Sequence, residues 1–252
     1  MRKNLSTKQI EKYSRQIVLK NVGIIGQKKI LDSSVLVVGA GGLGCPVIDY
    51  LSRAGVGLIG IIDYDKVDAS NIHRQSIYTY KDIGKYKVEV LKRKLKDINP
   101  DVKTKIFKSK ITNKNANQIL KQFDIIVDGS DNFKTKFLLN QFARKLKKAF
   151  IVGAISRYNG HVFSFNFKRN NEACLKCFYQ SDVNEEVLNC ETDGILGPVA
   201  GMVGNMQANE VLKNILNLKN ELRDKILIID LLNLTFRQAN FSKKKNCVCG
   251  ER

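Results

Sequence analysis

The chain has 252 residues and a formal net charge of +19, from 43 Lys and Arg against 24 Asp and Glu. This length allows a substantial core, and with no linker or repeat and only three prolines, one domain over residues 1–252 is expected. The polar N-terminus and the lack of a long apolar run exclude a signal peptide and a membrane span, which predicts a cytoplasmic protein. Basic residues are scattered rather than gathered with aromatics, which disfavours nucleic acid as a partner.

The first two thirds of the chain alternate apolar runs with amphipathic segments, which predicts a parallel sheet covered by helices on both faces. Strands are predicted at residues 35–39, 58–63, 103–107, 125–128 and 150–154. Helices are predicted at residues 43–54, 85–98, 115–122 and 134–146.

After residue 155 the pattern changes. Asn159-Gly160 precedes an alternation of polar and apolar residues at 161–167, which predicts a half-exposed antiparallel strand. A helix is predicted at 199–216 and two short strands at 226–230 and 235–241. The predicted fold is an α/β, Rossmann-like doubly wound parallel sheet in a nucleotide-binding half, residues 1–155, continued by a mixed or antiparallel half, residues 156–252.

The first predicted strand runs into a glycine turn, and the second predicted strand ends on Asp63. This order of strand, glycine turn, helix, strand and acid is typical of a nucleotide-binding βαβ unit. Glycines let backbone N–H groups approach a phosphate at the helix N-terminus, and the acid binds ribose hydroxyls. By itself the turn also fits a dinucleotide-dependent oxidoreductase. The glycines of the turn are Gly39, Gly41, Gly42 and Gly44.

The polar residues that follow Asp63 favour chemistry at phosphorus over hydride transfer. Arginine and lysine offset charge that develops on phosphate oxygens, and a carboxylate can hold Mg²⁺. Any one of these charges could be a solvated surface group, Lys87 included, but their order after a glycine turn favours the phosphate interpretation. The set is Asp65, Asn71, Arg74, Gln75, Lys87, Asp131 and Asn132.

Together with Tyr13-Ser14-Arg15-Gln16, these motifs resemble the ThiF/MoeB family, over a span from about Gln9 to Gly250. The resemblance implies an ATP-dependent adenylyltransferase, related to ubiquitin-activating enzymes, that adenylates the C-terminal glycine of a small ubiquitin-like sulfur carrier ending in Gly-Gly. A sulfur donor then converts the adenylate to a thiocarboxylate for molybdopterin or thiamine biosynthesis. Non-catalytic or RNA-modifying relatives of the same fold remain an alternative.

Roles are assigned to individual residues within this resemblance. Asp63 is expected to bind ribose, Asn71, Arg74 and Lys87 to contact phosphates, and Asp131 to coordinate Mg²⁺. The resemblance further implies that Arg15 reaches the triphosphate of a second subunit, so that a homodimer is required for activity. The predicted catalytic residues are Arg15, Arg74, Asp131 and Cys190.

Two close cysteine pairs, Cys174 with Cys177 and Cys247 with Cys249, suit tetrahedral Zn²⁺. Four protein ligands leave no open position, so the zinc would be structural and would pin the C-terminal tail to the loop after the 162–167 strand. In the family both pairs are separated by two residues, whereas here one residue separates Cys247 from Cys249. Spare thiols are the alternative.

The remaining cysteines and the two histidines divide by context. Cys190 lies in a polar stretch where a thiolate could be a nucleophile, or it could be a loop cysteine without a chemical role. Cys45 is expected to be a small packing residue. His161 is predicted to point outward from its strand and is given no role, and His73, beside Arg74, is not assigned to the site.

Overall fold

The computed structural model describes residues 4–169, 172–179, 194–219, 221–245 and 247. Within this part of the chain, one sheet of eight strands has the order β3-β2-β1-β4-β5-β6-β7-β8. Strands β1 to β5 pair in parallel, whereas the pairs β5 with β6, β6 with β7 and β7 with β8 are antiparallel. The predicted fold class is therefore confirmed. The strands are β1 Ser34–Val38, β2 Leu58–Ile62, β3 Lys103–Phe107, β4 Ile125–Asp128, β5 Ala149–Ser156, β6 Asn159–Asn166, β7 Lys225–Asp230 and β8 Thr235–Asn240.

The central strands are apolar because both of their faces are covered. Alternate residues of β1 enter different clusters: Val35 and Val37 pack on one face, and Leu36 and Val38 on the other. Parallel strands buried in this way appear in a sequence as short continuous apolar runs. The helices are α1 Thr7–Lys12, α2 Ser14–Ile17, α3 Gly23–Asp32, α4 Gly44–Ala54, α5 Lys87–Ile98, α6 Ala116–Leu120, α7 Phe133–Lys145, α8 Leu175–Phe178 and α9 Gly197–Leu216.

The helices divide between the two faces of the sheet. Buried residues of α3, α4, α5 and α9, such as Ile30, Ile48, Leu91 and Val211, form one core cluster with the sheet. Residues of α6, α7 and α8 form the other cluster. Within the described ranges, no helix combines the length and the hydrophobicity that crossing a bilayer requires.

The prediction that the strand at 161–167 is half-exposed is wrong. In β6, Val162, Phe163, Ser164 and Phe165 are all buried. Helix α9 packs on one face of β6, and aromatic side chains with α8 cover the other face. The alternation of polar and apolar residues at 161–167 therefore does not correspond to an alternation of exposed and buried side chains.

The two predicted halves of the chain share this sheet. Strands β5 and β6 pair from Ala149↔Asn166 to Ser156↔Asn159, across the predicted boundary at residue 155. The chain order of the strands reverses between β1 and β4, which are neighbours in the sheet. In open α/β sheets, ligands bind at the carboxyl ends of the strands at such a reversal.

Candidate active site

A cleft of about 990 Å³ opens at the carboxyl ends of the parallel strands. It is lined by residues that follow β1, β2 and β4, and it continues along the ends of β5 and β6. Every predicted nucleotide-binding residue except Gly44 lines it. The fold thus brings together residues that lie more than ninety positions apart in the sequence, from Gly39 to Asn132.

The glycines of the turn have different physical reasons for being glycine. Gly39 has a φ of +93°, which L side chains rarely adopt. A Cβ on Gly44, the first residue of α4, would lie 1.9 Å from the carbonyl oxygen of Gly39, so this glycine is required by packing. A Cβ on Gly41 would meet only Gln75 Nε2, at 3.7 Å, so Gly41 leaves room on the cleft side. A phosphate-binding role for Gly44 stays a prediction.

Asp63 closes the glycine turn from the end of β2. Its Oδ2 accepts a hydrogen bond from the Ala40 N–H, and its Oδ1 accepts one from the Asp65 N–H, each at 2.7 Å. Burial raises the pKa of Asp63, while the Asp65 N–H, the Lys87 charge and the Ala40 N–H act in the opposite direction. The carboxylate is therefore held rigidly at the edge of the cleft, where each oxygen retains a lone pair for a ligand hydroxyl.

Lys87 is buried rather than solvated, with 5 % of its surface exposed. It is the first residue of α5, and its Nζ donates to Asp65 Oδ2 at 3.1 Å. A buried ammonium needs such a partner because desolvation of a charge is costly. Cys45 behind the turn is fully buried, and burial raises its pKa to about 12, as expected of a packing residue.

The segment after Asp68 presents three polar side chains to the cleft. A 3₁₀ turn, Ala69–Asn71, is capped by Asp68, whose carboxylate accepts from the Ser70 N–H. Arg74 Nη1 donates to the Ser70 carbonyl oxygen at 2.8 Å and lies 2.8 Å from His73 Nε2. Gln75 is buried, and its Oε1 has no hydrogen-bond partner in the described structure. Such an orphaned acceptor beside the glycine turn is suited to a ligand donor.

Asp131 lies on the turn between β4 and α7, with its side chain exposed at the cleft. Asn132 caps α7: its Oδ1 accepts from the Thr135 N–H at 2.9 Å, and its Nδ2 donates to Asp131 Oδ1 at 3.0 Å. The predicted Asp-Asn pair is therefore one unit, in which the amide that caps the helix also orients the carboxylate.

Sequence reasoning missed the buried ion pair beneath this turn. Lys136 Nζ donates to Asp128 Oδ2 at 2.7 Å, to the Ser130 carbonyl at 2.7 Å and to the Gly153 carbonyl at 2.6 Å. Both charged side chains are almost inaccessible to solvent. One signal was present: Lys136 is three residues from the buried Phe133 and Leu139, on the buried face of α7.

The other end of the cleft is formed by β5 and β6. Ala154, Ser156, Asn159 and His161 line it. The prediction that His161 points outward is wrong, because the ring is partly buried and its Nδ1 lies 3.0 Å from the Tyr179 hydroxyl oxygen. Burial, together with the positive charge of Arg237, lowers the pKa of His161.

Three of the four predicted zinc ligands lie together near α8. Cys174 Sγ is 3.8 Å from Cys247 Sγ and 3.9 Å from Cys177 Sγ. Zn–S bonds of about 2.3 Å in a tetrahedron place sulfur atoms about 3.8 Å apart, so these thiols fit such an ion. Cys249 and Cys190 lie outside the described residues. Arg15 is exposed on α2 and does not line the cleft of its own chain.

Curated relatives resemble this chain along nearly its full length. An "Adenylyltransferase and sulfurtransferase MOCS3" from Aedes aegypti is 40% identical over 250 residues, covering 98% of this chain but 57% of the mosquito protein. The "Sulfur carrier protein adenylyltransferase" of Thermus thermophilus is 37% identical over 248 residues, covering 96% of this chain and 92% of that protein. The chain thus spans between 56% and 59% of the length of the Aedes aegypti, Culex quinquefasciatus and Dictyostelium discoideum MOCS3 proteins.

Solved structures show the same fold. The crystal structure of Escherichia coli MccB with MccA-N7isoASN superposes with a TM-score of 0.84 at 22% identity, covering 98% of this chain and 76% of MccB. The sequence profile of the ThiF family matches residues 13–250. That match includes the glycine turn, the cleft residues and the cysteine pairs. The chain belongs to the ThiF family.

Proposed function

We propose that this chain is an ATP-dependent nucleotidyltransferase that adenylates the C-terminal glycine of a small ubiquitin-like sulfur-carrier protein. The observation that carries the proposal is the meeting, in one cleft, of the glycine turn with Asp63, Arg74, Lys87 and Asp131. A hydride-transfer enzyme gains nothing from two cations and a second acid at this place, whereas nucleotidyl transfer uses all of them. The name of the Thermus thermophilus relative supports the same activity.

The reaction follows from the charges of the cleft. The carrier carboxylate attacks the α-phosphorus of ATP, the bond to the bridging oxygen of the leaving group breaks, and pyrophosphate departs. A carboxylate is already a nucleophile at neutral pH, so no general base is required. Arg74 and Lys87 offset charge on the phosphate oxygens, and catalysis is mainly positioning and electrostatic stabilisation.

Asp131 is the residue best placed to hold Mg²⁺ for this reaction. Its carboxylate is exposed at the cleft, and its Oδ1 accepts from the Asn132 amide, whereas Asp65 is paired with Lys87. A carboxylate together with phosphate oxygens and water is the ligand set that Mg²⁺ usually takes in nucleotide sites. Held by Asp131, the ion would supply positive charge to the phosphates and lower the repulsion that the attacking carboxylate meets.

Two further features belong to the same proposal. Cys174, Cys177 and Cys247, with Cys249 as the fourth ligand, would hold a structural Zn²⁺ beside α8. Arg15, which does not line its own cleft, would complete the site of a second copy of the chain, so that the active form is a homodimer. An exposed arginine on a short N-terminal helix is consistent with a role in trans.

The proposed carrier protein could serve either molybdopterin or thiamine biosynthesis. One relative, 35% identical over 243 residues, is a "Probable molybdopterin-synthase adenylyltransferase" from Gracilaria tenuistipitata. This name favours the molybdopterin type, and a sulfur donor would then convert the adenylate to a thiocarboxylate.

The test is exchange of labelled pyrophosphate into ATP, with Mg²⁺ and each candidate carrier. We expect exchange only with a carrier that ends in Gly-Gly, and none with the same carrier lacking its last glycine. Asp131→Ala should abolish exchange while its circular dichroism spectrum is unchanged, because Mg²⁺ would lose its protein ligand. Absence of carrier-dependent exchange with all carriers would contradict the proposed function, and a wild-type rate in Asp131→Ala would remove that residue from the site.

A further inference from the structure

Strands β5 and β6 form a wall of the cleft beyond the end of β4. Strand β5 continues beyond the end of β4, because Asp128 pairs with Val152 and β5 runs on to Ser156. In this extension Ala154 pairs with His161 of β6. Both line the cleft. An extended peptide whose terminal carboxylate reaches the turn at Asp131 therefore passes along this wall.

His161 lies on the aromatic side of β6. Its neighbour Gly160 faces α9, where a Cβ would lie 2.2 Å from Val203 Cγ2. Because side chains alternate along a strand, His161 shares the opposite face with Phe163. The ring of Tyr179, the residue after α8, lies 5.9 Å from the Phe163 ring and 5.0 Å from the Phe133 ring. This aromatic packing fixes the Tyr179 hydroxyl beside His161 Nδ1, at 3.0 Å.

The direction of this hydrogen bond follows from the Tyr179 hydroxyl, whose hydrogen requires an acceptor. Its hydroxyl is un-ionised at neutral pH, and among the described residues its only hydrogen-bond partner is His161. If Nδ1 carried the proton and donated to the tyrosine oxygen, the buried hydroxyl hydrogen would have no acceptor, which is costly. The hydroxyl therefore donates to Nδ1, and a neutral imidazole then carries its proton on Nε2.

The surroundings also determine which ligand suits this ring. Burial and the nearby Arg237 lower the pKa of His161, which favours the neutral ring, an N–H donor without a positive charge. No hydrogen bond from Nε2 to another described residue is present. A neutral donor that lines a peptide-sized cleft is suited to a main-chain carbonyl oxygen.

We propose that His161 donates a hydrogen bond from Nε2 to a main-chain carbonyl of the carrier's C-terminal tail, with Tyr179 as the positioning residue that fixes the tautomer. The inference rests on the proposed function, since it concerns the tail that brings the reacting glycine to the cleft. It gives His161 a role in binding the carrier tail, through a donor that contacts the peptide backbone, and it leaves the ATP end of the cleft unaffected.

The tautomer can be measured on the protein alone, without turnover. The chain has two histidines, His73 and His161, so ¹⁵N-histidine labelling gives two side-chain spin systems, and His161→Gln assigns them. We expect His161 to be unprotonated at Nδ1 and protonated at Nε2, with a mixture of tautomers in Tyr179→Phe. A proton on Nδ1 in the wild-type protein overturns the inference. This result stands whether or not the protein adenylates any carrier tested.

The second measurement is the KM for the carrier and the KM for ATP in pyrophosphate exchange. His161→Leu alone would leave the tyrosine hydroxyl unpaired, so the informative variant is His161→Leu/Tyr179→Phe, with Tyr179→Phe as its matched control. Loss of one neutral hydrogen bond should raise the carrier KM by about two- to tenfold relative to that control, with the KM for ATP unchanged. His161→Gln, which retains an N–H donor, should stay near the wild-type value.

The outcomes separate the two proposals. A carrier KM in the double variant equal to that of the control overturns the role of His161, and so does an equal rise in His161→Gln. Absence of carrier-dependent exchange in the wild-type protein counts instead against the proposed function.

Discussion

Removal of the buried ammonium of Lys136 should damage both the stability of the fold and the turn that carries Asp131. In Lys136→Met the side chain keeps an apolar stem of similar length but loses its charge. Asp128, which has no exposed surface, then loses its only cationic partner within the described residues. Breaking a buried ion pair by removing one partner leaves an uncompensated charge, and this usually costs about 3–5 kcal/mol.

The structure places the expected value near the lower end of that range. Asp128 Oδ1 still accepts from the Ser130 N–H at 3.0 Å and from the Ser130 hydroxyl at 2.5 Å, so the carboxylate keeps two hydrogen bonds in the variant. We therefore expect a loss of about 3 kcal/mol in the free energy of unfolding. For a chain of this size that corresponds to a decrease in Tm of roughly 6–12 °C.

The assay is urea unfolding followed by circular dichroism, with a thermal scan in parallel. The matched control is Lys108→Met, because the Lys108–Glu89 pair is 3.1 Å apart with both side chains about half exposed, and its loss should cost less than about 1 kcal/mol. In a double-mutant cycle, Asp128→Asn and Lys136→Met should together destabilise less than the sum of the single changes. A loss below about 1 kcal/mol in Lys136→Met, as in the control, would falsify the reasoning.

Three further predictions concern the metal, the dimer and the cysteine chemistry. Cys174→Ser should lose about one zinc ion per chain and lower the Tm, as metal analysis of protein purified without chelator would show, and a wild-type protein without zinc would contradict this. Arg15→Ala and Arg74→Ala should each lose exchange activity but regain part of it when mixed, since a mixed dimer has one complete site; failure after verified subunit exchange argues against a shared site. Cys190→Ala should keep pyrophosphate exchange, which needs no thiol, but should not form a thiol-sensitive adduct with the carrier, and an unchanged adduct would leave Cys190 without a covalent role.

The elements that position the nucleotide end of the cleft were predictable because their signals are local. A strand that is buried on both faces reads as an apolar run, and the predicted strands at 103–107 and 125–128 have the bounds of β3 and β4. The glycine turn is visible in the sequence because both positions require glycine. Gly39 has a positive φ, and a Cβ on Gly44 would clash with the Gly39 carbonyl oxygen. Such requirements act within a few residues, so they are visible without knowledge of the rest of the fold.

The features that were missed depend on contacts between distant segments. Lys136 reads as a solvated helical charge, and only the fold places it on Asp128 and the Gly153 carbonyl. His161 reads as the polar side of an amphipathic strand until α8 places Tyr179 beside it. In both cases the polar residue is buried because its partner is supplied by another element, and a single-sequence pattern does not contain the partner.

The net charge of +19 illustrates the same point for electrostatics. Among the described residues, most basic side chains are exposed, but Lys87 and Lys136 are buried, each against one carboxylate beside the cleft. The Lys136–Asp128 pair is buried on both sides, and such a pair is a poor source of stability because desolvation offsets the attraction between the charges. In the Lys87–Asp65 pair the ammonium is buried but the carboxylate is about half exposed. What the two pairs provide is fixed charge and fixed geometry around Asp131 and the glycine turn. The proposed nucleotidyl transfer would use that preorganisation, since groups already in place do not have to reorganise when charge moves from the attacking carboxylate to the leaving pyrophosphate.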